Sequence, residues 1–243
     1  MRRWASVHGF DYQFLGDELF AELSPELWAK TRKQPVVAAD LARLLMLEKL
    51  LAEGAERVVW IDADVLVLDA ETFALKDADA LFGREVWVQR SGSRLKTYRK
   101  IHNAFMAFRA GDPVLPFYRF SAERILRAYE PIAAGEASGE NEVLREVPTL
   151  PPQLIGPKLL THLHNAIGFD VQENAAMLPP LVSRELLTEP GAACAAFAAE
   201  SAVAPLAVNL CGSAAASGEL DHDDVSRLVA RLAAEPERLT TLC

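Results

Sequence analysis

The sequence predicts an α/β fold in which a largely parallel or mixed sheet is flanked by helices. Apolar, β-branched runs typical of buried strands alternate with segments in which apolar residues recur at helical spacing. The 243 residues, 51% of them hydrophobic, can bury a sizeable core, and this composition argues against disorder. We expect one domain over residues 1–243, with a C-terminal helix and tail from about residue 221.

The first segments predict a helix, a strand and a second, longer helix. The stretch Arg2–His8 is typical of a helix end that Gly9 closes. Apolar and polar residues then alternate over Phe10–Leu15, as they do in a half-buried strand. A helical pattern runs from Val36 to Ala52, and Gly54 ends it.

Later segments continue the alternation of strands and helices. Strands are predicted at Glu85–Gln89, Asn103–Phe108, Met177–Val182 and Leu206–Leu210. Helices are predicted from Asp112 to about Tyr129, from Lys158, and over Asp221–Leu242. Residues 131–139, rich in Ala, Gly and Ser, are predicted to form a loop.

The stretch Arg57–Asp69 carries the clearest chemical signal. Its apolar beginning predicts a buried strand, and Asp62 and Asp64 stand at its far end, where α/β sheets usually bind ligands. In an extended chain the two carboxylates point to the same face. They repel each other unless a cation lies between them, so the pair indicates a divalent metal site. The alternative is a surface turn with two helix-capping aspartates.

Two further charge patterns have alternative interpretations. Asp40 and Arg43 lie three residues apart on one helix face, which is typical of an ordinary intrahelical ion pair. A basic segment predicts either a loop that contacts phosphates or a solvated loop with no role. Its cations are Arg90, Arg94, Lys96, Arg99 and Lys100.

Composition excludes several classes of function. The net charge of −9 argues against a broad nucleic-acid surface. No apolar run is long enough to cross a membrane, and nothing resembles a signal peptide. The three cysteines lack metal-site spacing and suit a reducing compartment, so a cytoplasmic location is expected. His162 and His164 are not spaced to share a metal on a helix and are expected at the surface.

The residues around the aspartate pair resemble a known family. Val58–Leu66 looks like the DxD signature of GT-A glycosyltransferases, which use nucleotide-diphospho-sugars. Four other segments are similar, in the same order, to motifs of the DxD sugar-binding-region group of this superfamily. They are Ala39–Arg43, His102–Ala107, Ile155–Thr161 and Ala207–Leu210. Together the five segments span roughly Phe10 to Ser213.

This resemblance implies a GT-A fold with a mixed, mostly parallel sheet, from which the first strand of the family is missing. It implies a hexosyltransferase that moves a sugar from a nucleotide-diphosphate donor to a glycan, lipid or other acceptor, with the closest relatives suggesting retention at the anomeric carbon. No nucleic-acid partner and no transmembrane segment are expected, and peripheral membrane association stays open.

The resemblance also implies roles for individual residues. The implied cofactor is Mn²⁺ or Mg²⁺, bridging Asp64 and the donor diphosphate, with Asp62 facing the ribose or the waters of the metal. The implied donor-binding residues are Asp40, Arg43, Asp62, Ala63, Asn103 and Gly156. The implied metal ligands are Asp62, Asp64 and Asn209, the last standing where relatives carry a histidine. No residue can be assigned as a catalytic nucleophile.

Two other functions are open. The Asp62–Asp64 pair fits the DxDx[TV] nucleophile motif of haloacid-dehalogenase-like phosphatases, with Ser91 and Lys158 further along the chain. That family needs a later acidic pair after a strand, whereas residues 223–224 stand at a predicted helix start. The third function is that of a degenerate GT-A domain that binds a partner or a sugar nucleotide without turnover.

Overall fold

A computed structural model describes residues 1–129, 150, 153–211 and 220–240. Within these residues six strands form one mixed sheet, and helices flank it. The α/β class with a mixed sheet is therefore confirmed.

The strands and helices alternate as follows. The strands are β1 (Arg57–Ile61), β2 (Val65–Val67), β3 (Ala80–Ser91), β4 (Arg94–Arg109), β5 (Asp170–Met177) and β6 (Ala207–Asn209). The α-helices are α1 (Arg2–Val7), α2 (Pro25–Thr31), α3 (Pro35–Ala52), α4 (Val114–Ala128), α5 (Leu159–Ile167), α6 (Pro180–Leu187), α7 (Ala192–Glu200), α8 (His222–Ala234) and α9 (Glu237–Thr240). A 3₁₀ helix covers Asp17–Glu22, and a π-helical turn covers Leu154–Lys158.

The strand order across the sheet is β1-β4-β3-β5-β6-β2. Only the β3–β5 and β5–β6 pairs are parallel, whereas the β1–β4, β3–β4 and β2–β6 pairs are antiparallel. The expectation of a mostly parallel sheet is therefore wrong. One reason is that β3 and β4 are joined by a tight turn, with Gly92 at a φ of 62°, and a tight turn can connect only antiparallel strands.

The run Arg57–Asp69 does not form one strand. It divides into β1 and β2, which occupy opposite ends of the strand order although only residues 62–64 separate them. Four residue steps join Ile61 to Val65, so their Cα atoms lie within about 14 Å of each other. The sheet therefore curls until its two ends approach at the aspartate pair. A hydrogen bond of 3.0 Å from Val65 N to Asp62 O closes this turn.

Two β-bulges interrupt the centre of the sheet. In β4, Phe82 faces Met106 but Gly83 faces His102, so residues 103–105 have no partner in β3. In β5, residues 173–175 are likewise unpaired with β3. The buried His102 joins the two bulges, since its Nδ1 accepts a hydrogen bond from Ala104 N and its Nε2 lies 3.0 Å from Ala175 O. A Cβ at Gly83 would lie 2.1 Å from that Nε2, so only glycine leaves room for the His102 ring here.

Helices cover one face of the sheet in two groups. Helices α3, α4 and α5 pack on β1 and the adjoining part of β4, while α6, α7 and α8 pack on the far half of β3. The other face is covered near β1 by Trp4 and Phe73. Val58 packs with helices α3, α4 and α5, whereas Val59 packs on the other face with Trp4 and Phe73, because consecutive strand residues point to opposite faces.

Several predicted elements are confirmed. The long helix runs over Pro35–Ala52, as expected from its apolar periodicity. Helix α4 begins after Asp112, whose Oδ2 accepts hydrogen bonds from two N–H groups of its first turn. Helix α8 begins at the capping residue Asp221, which accepts a hydrogen bond from Asp224 N.

Three predicted elements are wrong. Phe10–Leu15 has no regular secondary structure and joins no sheet among the described residues, and it lies across a groove of about 850 Å³ from the edge strand β1. Met177–Val182 is not a strand, because β5 ends at Met177 and Pro180 begins α6. The basic segment over residues 90–100 is the end of β3 and the start of β4, not a loop. The loop expected at 131–139 lies outside the described residues.

Candidate functional site at the end of β1

Arg43 is the centre of the site. Its guanidinium donates hydrogen bonds from Nη1 to Asp62 Oδ1 at 3.0 Å and to the carbonyl oxygen of Asn103 at 2.9 Å. Its Nη2 lies 2.9 Å from Asp40 Oδ1, one turn back on α3. The ion pair expected within the helix therefore exists, and the same guanidinium also binds residues from β4 and from the aspartate turn.

The charges in this cluster are buried. Asp40 is 3% exposed and Arg43 is 6% exposed. Burial raises the pKa of Asp40, and the Arg43 charge works against that rise. Burial also works to lower the pKa of Arg43, but the charges of Asp62 and Asp40 outweigh it and raise that pKa. Each buried charge in this cluster is therefore stabilised by the opposite charge of a neighbour, since an unpaired buried charge is costly.

The bulge of β4 brings Asn103 to the cluster. Its amide Nδ2 donates a hydrogen bond of 2.8 Å to Asp40 Oδ1, and Asn103 is 5% exposed. A regular strand would alternate its side chains between the two faces, whereas a bulge can redirect one of them. The sequence motif placed Asn103 near the site, but only the bulge explains how its side chain reaches α3.

Gly156 closes the cluster from the other side. A Cβ there would lie 2.8 Å from Asp40 Oδ2 and 3.3 Å from Asn103 Nδ2, so this position accommodates only glycine without a shift. The buried Tyr118 of α4 donates a hydrogen bond of 2.7 Å to Ile155 O and thereby holds the turn that carries Gly156.

The carboxylate of Asp62 has two kinds of protein donor. Besides the Arg43 guanidinium, Trp60 Nε1 donates a hydrogen bond of 2.5 Å to Asp62 Oδ1. The Arg43 guanidinium carbon also lies 5.7 Å from the centroid of the Trp60 ring, within the range of a cation–π contact. Asp62 is therefore fixed in place, with 25% of its side chain still exposed.

Asp64 is held from the opposite end of the sheet. Asn209 of β6 donates a hydrogen bond of 2.5 Å from Nδ2 to Asp64 Oδ1. The amide oxygen of Asn209 accepts a hydrogen bond of 2.8 Å from Cys211 N, which fixes the orientation of the amide. In this arrangement Asn209 supports Asp64 as a hydrogen-bond donor, and one lone pair of its oxygen accepts the N–H of Cys211. Ala63, between the two aspartates, is exposed.

The two aspartates offer a donor set that suits a cation only in part. Among the described residues no group of three or more His, Cys, Asp or Glu side chains lies close enough together to hold a metal ion. Asp62 and Asp64 together nevertheless fit a hard divalent cation that takes its remaining ligands from phosphate oxygens and water, as Mg²⁺ commonly does. Such a site would be completed by a bound diphosphate.

Three residues of the site were not singled out from the sequence. Trp60 and His102 lie within the matched segments, and Tyr118 lies outside them. Burial lowers the pKa of His102 to about 4, so the ring is neutral and serves as a hydrogen-bonding link between the bulges. Apolar periodicity treats Trp60 and Tyr118 as core residues and gives no signal of their polar contacts.

The other residues considered from the sequence lie elsewhere. His162 is exposed and His164 is partly buried, and no contact joins either one to the site in the described part of the chain. Ser91 lies at the tip of the β3–β4 hairpin, and the exposed Lys158 precedes α5. Among the described residues neither contacts Asp62 or Asp64, so a phosphatase constellation is not assembled in this conformation.

Comparisons with known proteins give no relatives from which to transfer a function. No protein-family model, no curated protein and no solved structure matches the chain. None of the helices within the described ranges is both long and apolar enough to cross a lipid bilayer.

Proposed function

We propose that this chain is a glycosyltransferase that takes a sugar from a nucleotide-diphosphate donor and uses Mn²⁺ or Mg²⁺ at the Asp62–Asp64 turn. One observation carries the proposal. Residues from four segments that resemble separate GT-A motifs meet around Arg43, although 116 positions of sequence separate Asp40 from Gly156. The residues that meet are Asp40, Arg43, Asp62, Asn103 and Gly156.

The chemistry of the cluster suits a sugar donor. The carboxylate of Asp40 and the amide of Asn103 can accept and donate hydrogen bonds to hydroxyl groups. Gly156 lacks a side chain beside them, so the turn that carries it can pack closely against Asp40 and Asn103. Ala63 contributes no side-chain bulk at the turn and leaves its backbone available to the donor.

The departure of a nucleoside diphosphate requires stabilisation of negative charge. A divalent cation would supply it, by roughly several kcal/mol, through the diphosphate oxygens. The protein prepares the two carboxylates for this role, since Arg43 and Trp60 orient Asp62 while Asn209 orients Asp64. Preorganised ligands lose little freedom on binding, which favours affinity.

The finer aspects of the proposal come from the resemblance alone. They are hexosyl transfer with retention, a glycan or lipid acceptor, the GT-A fold itself and a cytoplasmic location. None of the cluster residues is assigned as a nucleophile, because Asp40 is buried in an ion pair and Asp62 is held by Arg43.

A second candidate function is nucleotide-sugar binding without turnover. One observation favours it: both carboxylates already accept hydrogen bonds from protein donors, and Arg43 neutralises part of their charge. A protein of this kind would bind the donor but would release no nucleoside diphosphate.

Two measurements test the proposal. Thermal shift with uridine and guanosine diphosphates is expected to show stabilisation that requires Mn²⁺ or Mg²⁺, because a ligand that binds only the folded state raises the melting temperature. The release of nucleoside diphosphate from the corresponding sugar nucleotides then separates a transferase from a binding module. Asp64→Asn should remove the metal requirement, and Asp77→Asn is its matched control, since Asp77 has an exposed side chain and pairs with Arg109. Stabilisation by the nucleotides without any metal dependence would contradict the metal assignment.

A further inference from the structure

The β3–β4 hairpin extends past the aspartate turn. Strand β1 pairs with β4 only as far as Ile61 opposite Phe105, whereas β3 and β4 continue to pair from Gly83 and His102 to the turn at Gly92. The outer part of the hairpin therefore lies beyond the end of β1 at which Asp62 and Asp64 stand.

One face of this hairpin is continuous with the site. Met177 of β5 lies directly opposite both Glu85 of β3 and Asn209 of β6, and Glu85 lies opposite Lys100 of β4. Directly paired residues point to the same side of a sheet. Lys100, Glu85, Met177 and Asn209 therefore form a row on one face, about 14 Å long between the outer Cα positions at the usual strand spacing. This row ends at the residue that holds Asp64.

The face beyond this row is cationic and aromatic. Trp87 lies opposite Tyr98, and the next pairs outward place Lys96 and Arg94 on the same side. We call these four residues and Lys100 the hairpin face. Tyr98 is 40% exposed, and in the described part of the chain neither Arg94 nor Lys96 forms an ion pair.

Lys100 is held in place by a buried carboxylate. Its Nζ lies 3.1 Å from Glu85 Oε1 and 5.7 Å from the centroid of the Trp87 ring. Glu85 is 2% exposed, and among the described residues its other oxygen, Oε2, has no hydrogen-bond partner. A buried carboxylate with a free oxygen is costly, which makes it a candidate for a polar ligand.

The opposite face of the hairpin packs against the protein core and cannot bind a ligand over its length. Val86, Val88 and Leu95 pack there in the cluster that includes Phe197 of α7. The charge also differs from that of the whole chain: between Arg84 and Lys100 there are six cationic residues and one carboxylate, whereas the net charge of the protein is −9. A local excess of positive charge on an acidic protein favours an anionic ligand.

We propose that the hairpin face is the acceptor subsite and that the acceptor is an anionic saccharide. This inference rests on the proposed transferase function and names the substrate class of the same site. Aromatic rings give apolar faces against which the C–H groups of a sugar ring pack, and Lys and Arg bind carboxylate, phosphate or sulfate groups. Glu85 and Asn209 are buried, and Cys211 and Leu220 pack against Trp87 and Met177 on this side of the sheet. The acceptor would therefore lie over the exposed outer pairs around Arg94, Lys96 and Tyr98, with one end at Lys100 on the side nearer the row.

Binding of a defined saccharide pair tests this proposal. The probes are a tetragalacturonate and its carboxyl-reduced neutral counterpart, measured by isothermal titration on the full chain. We expect the neutral form to bind at least about ten-fold more weakly, because it lacks the charges that Arg94 and Lys96 recognise. The double variant Arg94→Gln/Lys96→Gln should lose roughly five- to ten-fold in affinity for the anionic form, as two exposed ion pairs allow.

A matched control lies on the same hairpin. Arg90 is exposed and belongs to the opposite face, so Arg90→Gln removes one charge of the same segment and should change affinity less than about two-fold. An equal loss in Arg90→Gln would overturn the proposal in favour of diffuse attraction. Equal binding of the neutral and anionic probes would overturn it too, as would binding of phosphatidylglycerol vesicles but not of tetragalacturonate.

A separate readout distinguishes this proposal from the proposed function. Metal-dependent binding of nucleoside diphosphate in the double variant should equal that of the unmodified chain, because neither residue contacts the aspartate turn. Specific binding of the anionic probe without any metal-dependent nucleotide binding in the unmodified chain would retain a saccharide site and overturn its role as an acceptor subsite.

Discussion

The two aspartates of the turn lie one residue apart but have different surroundings. Asp62 is bound by the guanidinium of Arg43 and the indole of Trp60, next to a cluster in which Asp40 and Arg43 are almost fully buried. Asp64 receives its side-chain hydrogen bond from the neutral amide of Asn209. The positive charge of Arg43 thus compensates Asp62, whereas the hydrogen bond from Asn209 to Asp64 comes from a neutral amide.

Because of this difference, substitutions at the two carboxylates should have different effects. Removal of a charge from the Asp62 side leaves another charge buried and unpaired, so changes there should first affect stability. Asp64 lies outside the buried Asp40–Arg43 cluster and is bound by the amide of Asn209, so changes there should first affect the binding of a cation. Four predictions follow this division, in order of the expected change in the free energy of unfolding.

The largest effect is expected from Arg43→Met. It leaves the carboxylate of Asp40, 3% exposed, without its cationic partner and should lower the free energy of unfolding by about 3–5 kcal/mol. The loss should shrink as the pH falls, because burial already raises the pKa of Asp40 and the folded variant can take up a proton there. Urea unfolding at pH 7 and pH 5 measures both effects.

A matched change at the surface controls for the loss of a cation. Lys49 pairs with Glu22 and has 47% of its side chain exposed, so Lys49→Met should cost less than about 1 kcal/mol. Similar losses in the two variants would show that the Arg43 cluster does not depend on buried charge.

The second prediction concerns His102, which links the bulges on the Asp62 side. Its folded pKa is lowered to about 4, so the unfolded chain binds the extra proton between about pH 6.5 and 4. This contribution to stability is present above that window and is lost as the pH falls through it, by about 3 kcal/mol. His102→Gln keeps a donor and an acceptor but does not titrate, and should therefore lose less stability on acidification. Parallel pH profiles for the two proteins would contradict the buried neutral ring.

The third prediction concerns Gly156→Ala. The new Cβ would lie 2.8 Å from a buried carboxylate oxygen of Asp40, and we expect a loss of about 1–3 kcal/mol together with weaker donor binding. Gly16→Ala is the control, since its Cβ would meet only the side chain of the exposed Glu18, at 3.0 Å. Chemical unfolding and nucleotide titration of both variants give the comparison. An equally small loss of stability in both would show that Asp40 and Asn103 can shift to accommodate the new Cβ.

The smallest effect on stability is expected from Asp64→Asn. The substitution keeps the shape and changes the free energy of unfolding by less than about 1 kcal/mol, but it removes a charge from the cation site. The increase in nucleoside diphosphate affinity on addition of Mn²⁺ should disappear, as measured by isothermal titration. Undiminished metal dependence in this variant would remove Asp64 from the site and end the contrast with Asp62.

Local sequence patterns were sufficient for the elements that are stabilised locally. The long helix α3 follows from its apolar periodicity, and α8 follows from the capping Asp221 and its amphipathic pattern. The strand pattern of Phe10–Leu15 failed, because alternation describes a face that could be buried but cannot supply a neighbouring strand. The basic segment was predicted wrongly for the converse reason: Leu95, between two cations, packs in the cluster that includes Phe197 of α7, and the local sequence does not show this contact.

The sequence by itself determined the α/β class, the aspartate pair and the residues expected around it. Only the tertiary structure decided that Asp62 and Asp64 lie between opposite ends of a curled sheet and that Asn103 reaches Asp40 through a bulge. It also decided that the basic residues form one face of a hairpin in line with Asn209. The physical reason is that helix periodicity and capping act within a few residues, whereas strand pairing and the burial of charge depend on contacts between distant segments.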